Sequence, residues 1–465
     1  MSASHHEPRN ASAAATMRAA VLHRRALLKG ATAMAALGTV GLRAPAALGQ
    51  AKPFAGVTIN GAGFQHVSTE NIKSYIPEFE ERTGMKVNFE LQAFPVYNQR
   101  MDLELSTQGS AYDFCNITFI YSGRWIGAGW MTPLDDFVSD PALTPADWDA
   151  GDFVPGSQKA LQDAAGNTYG FAYLAGAMIM GAARGDLLDQ AGLALPATFD
   201  ELIAVCEATH KMDGTAAFVA DKLHHWNWIP YLMGFGGTVF RNPPDDLYPM
   251  LDTPEAAAAG EWYARLITEF TPPGVLSYSD DQALRAQLSG RANLRTPDSS
   301  QVAALASSPD STVASTVRYA PLPAGPHGAF PGLNSHGLGI PAGARNKDAA
   351  WAFISWALSK EMVRRVALER GYTAVSRRSV IEDPAYRKVL TLNGQDVASL
   401  YLQVLEIGGT SDYMRYRTVP VFPQVGDKIN KAIERIASGQ QDGKTAMALA
   451  QEEAINDLKK AGVKI

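Results

Sequence analysis

The chain of 465 residues is longer than one ordinary hydrophobic core can serve, so two domains are the default expectation. Hydrophobic residues make up 46% of it and charged residues 19%, which is typical of a soluble globular protein and disfavours disordered and membrane-spanning classes. No apolar run reaches the roughly 20 residues that a membrane helix needs, and the formal net charge of −6 argues against nucleic acid as a partner.

Residues 1–51 have the features of an export signal. The string HRRALLK contains twin arginines, a weakly apolar run over residues 31–42 follows it, and small residues before Lys52 provide a cleavage site. This order predicts export by the twin-arginine route to the periplasm, with Met1 or Met17 as the start. Since no cysteine lies near the cleavage site, no lipid anchor is expected.

The next segment predicts a strand-helix-strand unit. Residues 57–59 form a short strand, residues 61–68 a loop, residues 72–82 a helix and residues 86–91 a second strand. Such a unit favours parallel neighbours in a sheet covered by helices. Pro77 lies inside the predicted helix and therefore predicts a kink or a late start.

Further apolar patterns extend this alternation of strands and helices. A buried strand is predicted over residues 112–119, in which we interpret Asp113 as a structural residue. Thr198 is a candidate cap for the helix that follows it. Apolar residues at helical spacing predict four more helices. They span residues 254–270, 280–290, 425–437 and 445–460.

The stretch over residues 330–375 has the most ordered series of signals. A short apolar strand over residues 337–340 ends at a turn, and Asn346 is a candidate cap for the helix that follows. Ser359 opens a second helix, and Gly371 ends it by tolerating a left-handed backbone. By itself this pattern predicts a strand followed by two packed helices.

Several strings resemble the family 1 extracellular solute-binding proteins, the sugar-binding receptors of bacterial ABC importers, which include the maltose-binding type. They are FEERTGMKVNFE, YDFCNITF followed by MTPLDD, PATFDEL, and the stretch 330–375. The resemblance implies an α/β, two-lobed periplasmic-binding-protein fold of type II. Each lobe would be a mainly parallel sheet flanked by helices, with three crossings between the lobes. The implied lobes are residues 52–172 with 331–372, and residues 173–330 with 373–465.

The resemblance also implies a function. Such a protein closes its lobes on a carbohydrate or polyol and delivers it to ABC transporter permease subunits, as a monomer without a cofactor. Two alternatives stay open: an exported carbohydrate-active enzyme, because a carboxylate pair has no linear signature, and a receptor for another solute such as a polyamine. The sequence contains no zinc-protease, nucleophile-elbow or calcium-loop motif. The adjacent His224 and His225 do not suit one metal ion, so no catalytic or metal site is predicted.

Candidate ligand-binding residues lie on the loops that face the cleft in the family plan. Sugars and polyols need planar groups against their C–H faces and hydrogen-bonding groups for their hydroxyls. A tryptophan that stacks on sugar in relatives has no counterpart here, which favours a small, hydroxyl-rich or otherwise polar ligand. The acidic residue with which many relatives grip sugar hydroxyls has no counterpart either. The tryptophans could instead fill the core, and Arg417 could pair with Asp298 instead of ligand. The predicted ligand-binding residues are Phe64, His66, Tyr121, Trp125, Trp226, Trp228, Asp298, Asn334, His336, Tyr372 and Arg417.

The two cysteines, Cys115 and Cys206, would lie in different lobes under this plan. A disulfide between them would lock a hinge that has to open. We therefore predict two buried thiols.

Overall fold

The computed structural model describes residues 52–411 and 413–465. Residues 52–465 form one compact unit, and the predicted export signal lies outside the described residues. No helix in this described part of the chain is both long and apolar enough to cross a membrane.

Strands and helices alternate over most of this unit. The strands are β1 Thr58–Phe64, β2 Lys86–Gln92, β3 Phe114–Thr118, β4 Gly170–Ala177, β5 Ile179–Ala182, β6 Ala216–Phe218, β7 Phe240–Asn242, β8 Asp246–Pro249, β9 Ala292–Arg295, β10 Arg318–Pro321, β11 Leu333–Gly339, β12 Thr391–Leu392 and β13 Gln395–Asp396. The helices are α1 Val67–Ser74, α2 Ile76–Thr83, α3 Phe94–Ser106, α4 Ser122–Gly127, α5 Asp135–Ser139, α6 Pro155–Gln158, α7 Gly185–Ala191, α8 Phe199–Thr209, α9 His224–Asn227, α10 Ile229–Gly234, α11 Pro254–Glu269, α12 Asp280–Leu288, α13 Ser299–Ser307, α14 Lys347–Ala357, α15 Lys360–Glu369, α16 Arg378–Ile381, α17 Pro384–Val389, α18 Val397–Thr410, α19 Tyr413–Arg417, α20 Phe422–Ala437 and α21 Gly443–Lys460.

Two main sheets organise the chain. The first has the strand order β2-β1-β3-β11-β4, and the second has the order β10-β5-β9-β6. In the first sheet only β11 runs against the other strands, and in the second only β5 does so. All strands but one in each sheet thus run in one direction, as the sequence predicted, although four of the seven strand pairings are antiparallel because β11 and β5 lie inside the sheets. The chain passes between them at Met178, and α18 contacts both through β4 and β10.

Strand β1 continues to Phe64, so the prediction of a loop over residues 61–68 was wrong for its first half. A Cβ atom at Gly61 would lie 2.0 Å from the ring of Phe114 in the neighbouring strand. A Cβ atom at Gly63 would lie 3.0 Å from atoms of Phe89 and Leu91. These glycines make room for large side chains of adjacent strands, and they do not mark a turn.

The kink predicted at Pro77 is confirmed. Helix α1 ends at Ser74, and α2 begins at Ile76 with Pro77 in its first turn, where the missing amide proton costs no hydrogen bond. The first helix also begins earlier than predicted, because His66 caps it by accepting a hydrogen bond from the amide of Ser68.

The stretch 330–375 folds as a strand and two helices, as predicted, with two differences. Strand β11 is longer than the predicted one, and Asn346 precedes α14 without a side-chain cap, because its side chain donates to Asp113 Oδ1 at 3.2 Å. Asp113 also accepts from the amide of Asn60 at 3.0 Å, so its structural role is confirmed. Ser359 caps α15, and Gly371 has a positive φ of 62°.

The remaining predictions of local structure agree with the fold. Thr198 caps α8 through the amide of Glu201, and the four downstream helices appear as α11, α12, α20 and α21 within a few residues of their predicted bounds. Cys115 and Cys206 are both free and buried, which confirms the prediction of two thiols.

Candidate ligand-binding site

A cavity of about 290 Å³ lies where strand ends of both sheets meet. His66 and Phe119 follow β1 and β3 of the first sheet, and Asp221 and Thr296 follow β6 and β9 of the second. Ligands of open α/β sheets bind beyond the carboxyl ends of parallel strands. This cavity is therefore the candidate ligand site of the fold.

We describe the lining as two walls. The first wall comes from the first sheet and its adjacent loops and helices, and it comprises His66, Phe94, Phe119, Ile120, Leu174, Asn334 and His336. The second wall comprises Asp221, Leu223, His225, Trp226, Asn227, Asp280, Arg295, Thr296, Pro297, Asp298, Ser300, Gln301 and Arg417.

The first wall is aromatic and holds two histidines. The ring of His336 lies 4.8 Å from that of Phe64 and 5.2 Å from that of Phe119, centroid to centroid. Burial, with a smaller contribution from His66, lowers the pKa of His336 to about 3, so this imidazole is neutral. Burial also lowers the pKa of His66. Nδ1 of His66 accepts from the Ser68 amide at 3.3 Å, which leaves Nε2 to carry the proton as a donor.

The second wall holds a buried ion-pair network. The side chains of Arg295 and Asp221 are 4% and 3% exposed, and Arg295 Nη2 lies 3.4 Å from Asp221 Oδ2. Arg295 also donates to Asp280 and, through Nη1 at 2.8 Å, to Gln301, which itself donates to Asp280. Burial raises the pKa of Asp221, and the charge of Arg295 opposes that rise. The network holds one guanidinium and two carboxylates, so Arg295 compensates one of the two negative charges.

Asp298 and Asn334 join the two walls. Asn334 Nδ2 donates to Asp298 Oδ2 at 2.9 Å, and the other oxygen of Asp298 caps α13 by accepting from the Ser300 amide at 2.8 Å. Burial raises the pKa of Asp298. Asp298 thus bonds to Asn334 and not to Arg417, so the pairing with Arg417 that the sequence left open does not form.

Arg417 is buried between aromatic rings of both walls. Only 2% of this residue is exposed, and its guanidinium carbon lies 4.7 Å from the ring centroid of Trp226 and 5.0 Å from that of Phe119. Its Nε and Nη1 atoms have no hydrogen-bond partner among the described residues. Cation–π contacts compensate part of the cost of removing this charge from water.

The structure brings together six of the eleven predicted site residues. They are His66, Trp226, Asp298, Asn334, His336 and Arg417. Phe64 lies behind the first wall, where its ring contacts those of His66 and His336 at 5.8 and 4.8 Å.

The other four predicted residues lie outside the cavity lining. Trp125 and Trp228 are fully buried, and Trp125 donates to Asp102 at 3.1 Å. Tyr121 packs on Trp125 with a centroid distance of 5.7 Å. Tyr372 lines a separate small cavity. These side chains fill the structure around the site.

His224 and His225 face different surroundings. His224 is buried against the ring of Tyr263 at 5.9 Å, whereas His225 lines the cavity and contacts Asn430 through its backbone amide and Nδ1. Among the described residues, no group of three or more His, Cys, Asp or Glu side chains could hold a metal ion.

The sequence matches the bacterial extracellular solute-binding proteins over residues 65–364, more than half of the chain. The chain belongs to this family. The matched stretch of this solute-binding protein contains every residue of both walls except Arg417. The prediction of a solute-binding protein is thereby confirmed.

Known members of the family support the same fold. The solute-binding protein is 27% identical over 387 residues to the mannitol-binding protein of Pseudomonas aeruginosa, covering 79% of this chain and 85% of that protein. A ribitol complex of a solute-binding protein from Agrobacterium radiobacter superposes with a TM-score of 0.74 at 23% identity, over 86% of this chain and 98% of the other. A D-mannitol complex from Agrobacterium vitis gives 0.71 at 23% identity, over 87% and 99%. The two-lobed periplasmic-binding-protein fold is therefore confirmed.

Sequence reasoning missed the ion-pair network of the second wall. Asp221 and Arg295 each stand alone in the sequence, 74 residues apart, and no motif surrounds them. The available signal was their place at the ends of strands β6 and β9, where parallel-strand topology concentrates ligand contacts.

Proposed function

We propose that this solute-binding protein captures a small polyol or a single sugar unit between its lobes and delivers it to the permease of an ABC transporter. The main observation behind this proposal is that the two walls of the cavity have different chemical character. An aromatic wall that holds the neutral imidazole of His336 faces a wall whose three carboxylates and two guanidinium groups leave a formal charge of only −1. Such a cavity suits a neutral ligand that has both C–H faces and many hydroxyls.

The size of the cavity supports a small ligand. A volume of about 290 Å³ has room for roughly ten water molecules, and it lies at the lower end of the usual range for small-molecule sites. A hexitol or one sugar ring fits this space better than an oligosaccharide. The mannitol-binding relative is consistent with that choice.

Particular side chains suit the two parts of such a ligand. The rings of Phe119 and Trp226 provide flat surfaces for C–H groups, and their centroids lie 6.4 Å apart. Arg417 and Asn334 offer donors for hydroxyl oxygens, and Asp298 offers acceptors for hydroxyl protons.

The finer points of the sequence prediction complete the proposal. The lobes are the predicted ones, residues 52–172 with 331–372 and residues 173–330 with 373–465, except that the first boundary moves from 172 to Met178, because β4 belongs to the first sheet up to Ala177. They close about a hinge when ligand binds. The contacts of α18 with both sheets support a place for it at that hinge. Export by the twin-arginine route brings the protein to the periplasm, where it acts as a monomer without catalysis.

A thermal-shift screen of residues 52–465 tests this function. The panel contains mannitol, ribitol, glucose, maltotriose, spermidine and an amino-acid mixture, and each hit is recovered and analysed for chemical change. We expect an unaltered polyol or monosaccharide to stabilise the protein by about 2.7 kcal/mol at a hundredfold excess over its dissociation constant. Stabilisation by spermidine alone would indicate a cation receptor, and consumption of the ligand would indicate an enzyme. Tyr372→Phe, outside the cavity, is the matched control and should respond as the wild type does.

A further inference from the structure

Helix α4 makes an unusually close contact with the segment that follows α19. A Cβ atom built on Gly123 would lie 1.6 Å from the carbonyl oxygen of Thr418 and 2.7 Å from its carbonyl carbon. These are backbone atoms, so they cannot turn aside as a flexible side chain would. The approach of the two segments therefore requires that residue 123 has no side chain.

The backbone conformation does not explain this glycine. Gly123 lies inside α4 and does not have a positive φ, so an alanine would suit its helical geometry. Gly127, at the end of the same helix, would place its Cβ in open space with nothing within 4 Å. The two glycines of α4 thus differ in what a side chain would meet, which is Thr418 at position 123 and open space at position 127.

The contact at Gly123 acts directly on the wall of the ligand cavity. Thr418 follows Arg417, so holding the carbonyl of Thr418 against α4 fixes the backbone that carries the guanidinium. The same end of α4 is tied to Phe119, because Ser122 Oγ donates to the Phe119 carbonyl at 3.1 Å. The start of α4, at Ser122 and Gly123, therefore contacts both Phe119 and the backbone next to Arg417.

We propose that Gly123 is a positioning residue for ligand capture, which acts by seating Thr418 so that Arg417 stands between Phe119 and Trp226. The inference rests on the proposed function, since Arg417 serves there as a ligand contact. A side chain at position 123 displaces Thr418 and carries the guanidinium away from the cavity. Ligand affinity then falls although no residue of either wall has changed.

A double-mutant cycle tests whether Gly123 acts through Arg417. We expect Gly123→Ala to weaken mannitol binding, measured by titration calorimetry, at least tenfold, and the matched control Gly127→Ala to stay within twofold of the wild type. In an Arg417→Gln background, Gly123→Ala should cost less than a further twofold. Equal losses in both backgrounds, or no loss in the first, would overturn the proposal.

A second variant tests the proposal if Gly123→Ala does not fold. Thr418→Gly loosens the same backbone without a clash. It should weaken mannitol binding at least threefold in the wild-type background and leave the affinity of Arg417→Gln unchanged. An equal effect in both backgrounds would overturn the proposal.

A ligand-free crystal structure separates this inference from the proposed function. In Gly123→Ala, or in Thr418→Gly if the first variant does not fold, we expect the Arg417 guanidinium to have left its position between Phe119 and Trp226. An unmoved guanidinium would overturn the role of Gly123. If the wild type binds no polyol or sugar, the proposed function fails, and this structure still decides what Gly123 positions.

Discussion

The two walls of the cavity differ in charge and in the contacts that stabilise them. Every charged residue that lines the cavity in the described chain belongs to the second wall, whereas the first wall is made of aromatic and aliphatic side chains, two histidines and Asn334. The second wall is stabilised by ion pairs before any ligand arrives, as Arg295 with Asp221 illustrates. The first wall is stabilised by ring contacts such as that of Phe64 with His336.

This difference in charge between the walls indicates what kind of ligand the cavity can hold. A charged ligand would have to compete with the ion pairs that Arg295 forms with Asp221 and Asp280, at a high desolvation cost. A neutral ligand with hydroxyls can bond to the outer atoms of the second wall and lay its C–H groups on the first. Substitutions on the two walls should therefore have different consequences, and they can be ordered by size.

The largest effect is expected from breaking the ion pairs of the second wall. Asp221→Ala leaves the buried Arg295 with only the partly exposed Asp280 as an ionic partner, and we expect the free energy of unfolding to fall by about 3–5 kcal/mol. Urea denaturation measures this change. The exposed Asp310 provides the control, since Asp310→Ala should change stability by less than about 0.5 kcal/mol. Equal stability of Asp221→Ala and wild type would show that the ion pair of Asp221 with Arg295 does not stabilise the fold.

Removing the guanidinium between the walls should affect binding more than stability. Arg417→Gln loses a charge-assisted hydrogen bond to a ligand hydroxyl, worth about 1.5–3 kcal/mol, so mannitol affinity should fall roughly tenfold to a hundredfold. The ligand-free melting temperature should not fall, because a buried charge with partnerless Nε and Nη1 atoms is removed. Calorimetric titration and a melting curve check both statements, with the exposed Arg345→Gln as control. Unchanged affinity for mannitol would show that Arg417 does not contribute to ligand binding.

His336 of the first wall should make the free energy of unfolding depend on pH. The pKa of buried His336 is lowered to about 3, while in the unfolded chain the group titrates near 6.5. Between these values the unfolded state binds the extra proton, so stability is lost as the pH falls below about 6.5. We expect His336→Asn to lose less stability than the wild type between pH 7 and pH 5, by up to about 1.4 kcal/mol per pH unit. Urea denaturation at several pH values measures the slopes, and identical slopes would contradict the burial of this imidazole.

The smallest effect is expected from exchanging a ring of the first wall for an aliphatic side chain. Phe119→Leu keeps apolar volume but loses the ring that faces Trp226 and Arg417. Mannitol binding should weaken by about 0.5–1.5 kcal/mol, the usual worth of an aromatic contact beyond its area. Phe137→Leu, on α5 and outside both walls, should leave affinity unchanged in the same titration. A loss as large as that of Arg417→Gln would mean that the ring positions the guanidinium as well.

The sequence predicted more of the fold than of the residues that line the cavity. Caps such as Thr198 and Ser359 depend on neighbours a few residues away, and both are found where predicted. The loop predicted over residues 61–68 was wrong in its first half because a ring of Phe114, more than fifty residues downstream, requires Gly61. Local patterns specify local structure, whereas close packing between strands is visible only in three dimensions.

The same limit applies to the site. Asn334 and His336 were predicted as ligand-binding residues on cleft-facing loops, and both line the cavity. Trp125 and Trp226 looked alike in sequence, yet one fills the core and the other faces the cavity. Asp221 has no local signature at all, because its partner is Arg295 on another strand end.

A crystal structure of residues 52–465 grown with mannitol would test the central claim most directly. The two walls predict one mannitol molecule between them, with hydroxyl oxygens within hydrogen-bonding distance of Arg417 and Asp298 and carbon atoms against the ring of Trp226. The Arg295–Asp221 pair should remain intact. Mannitol bound elsewhere, or a ligand group that displaces Asp221 from Arg295, would contradict the division of labour between the walls.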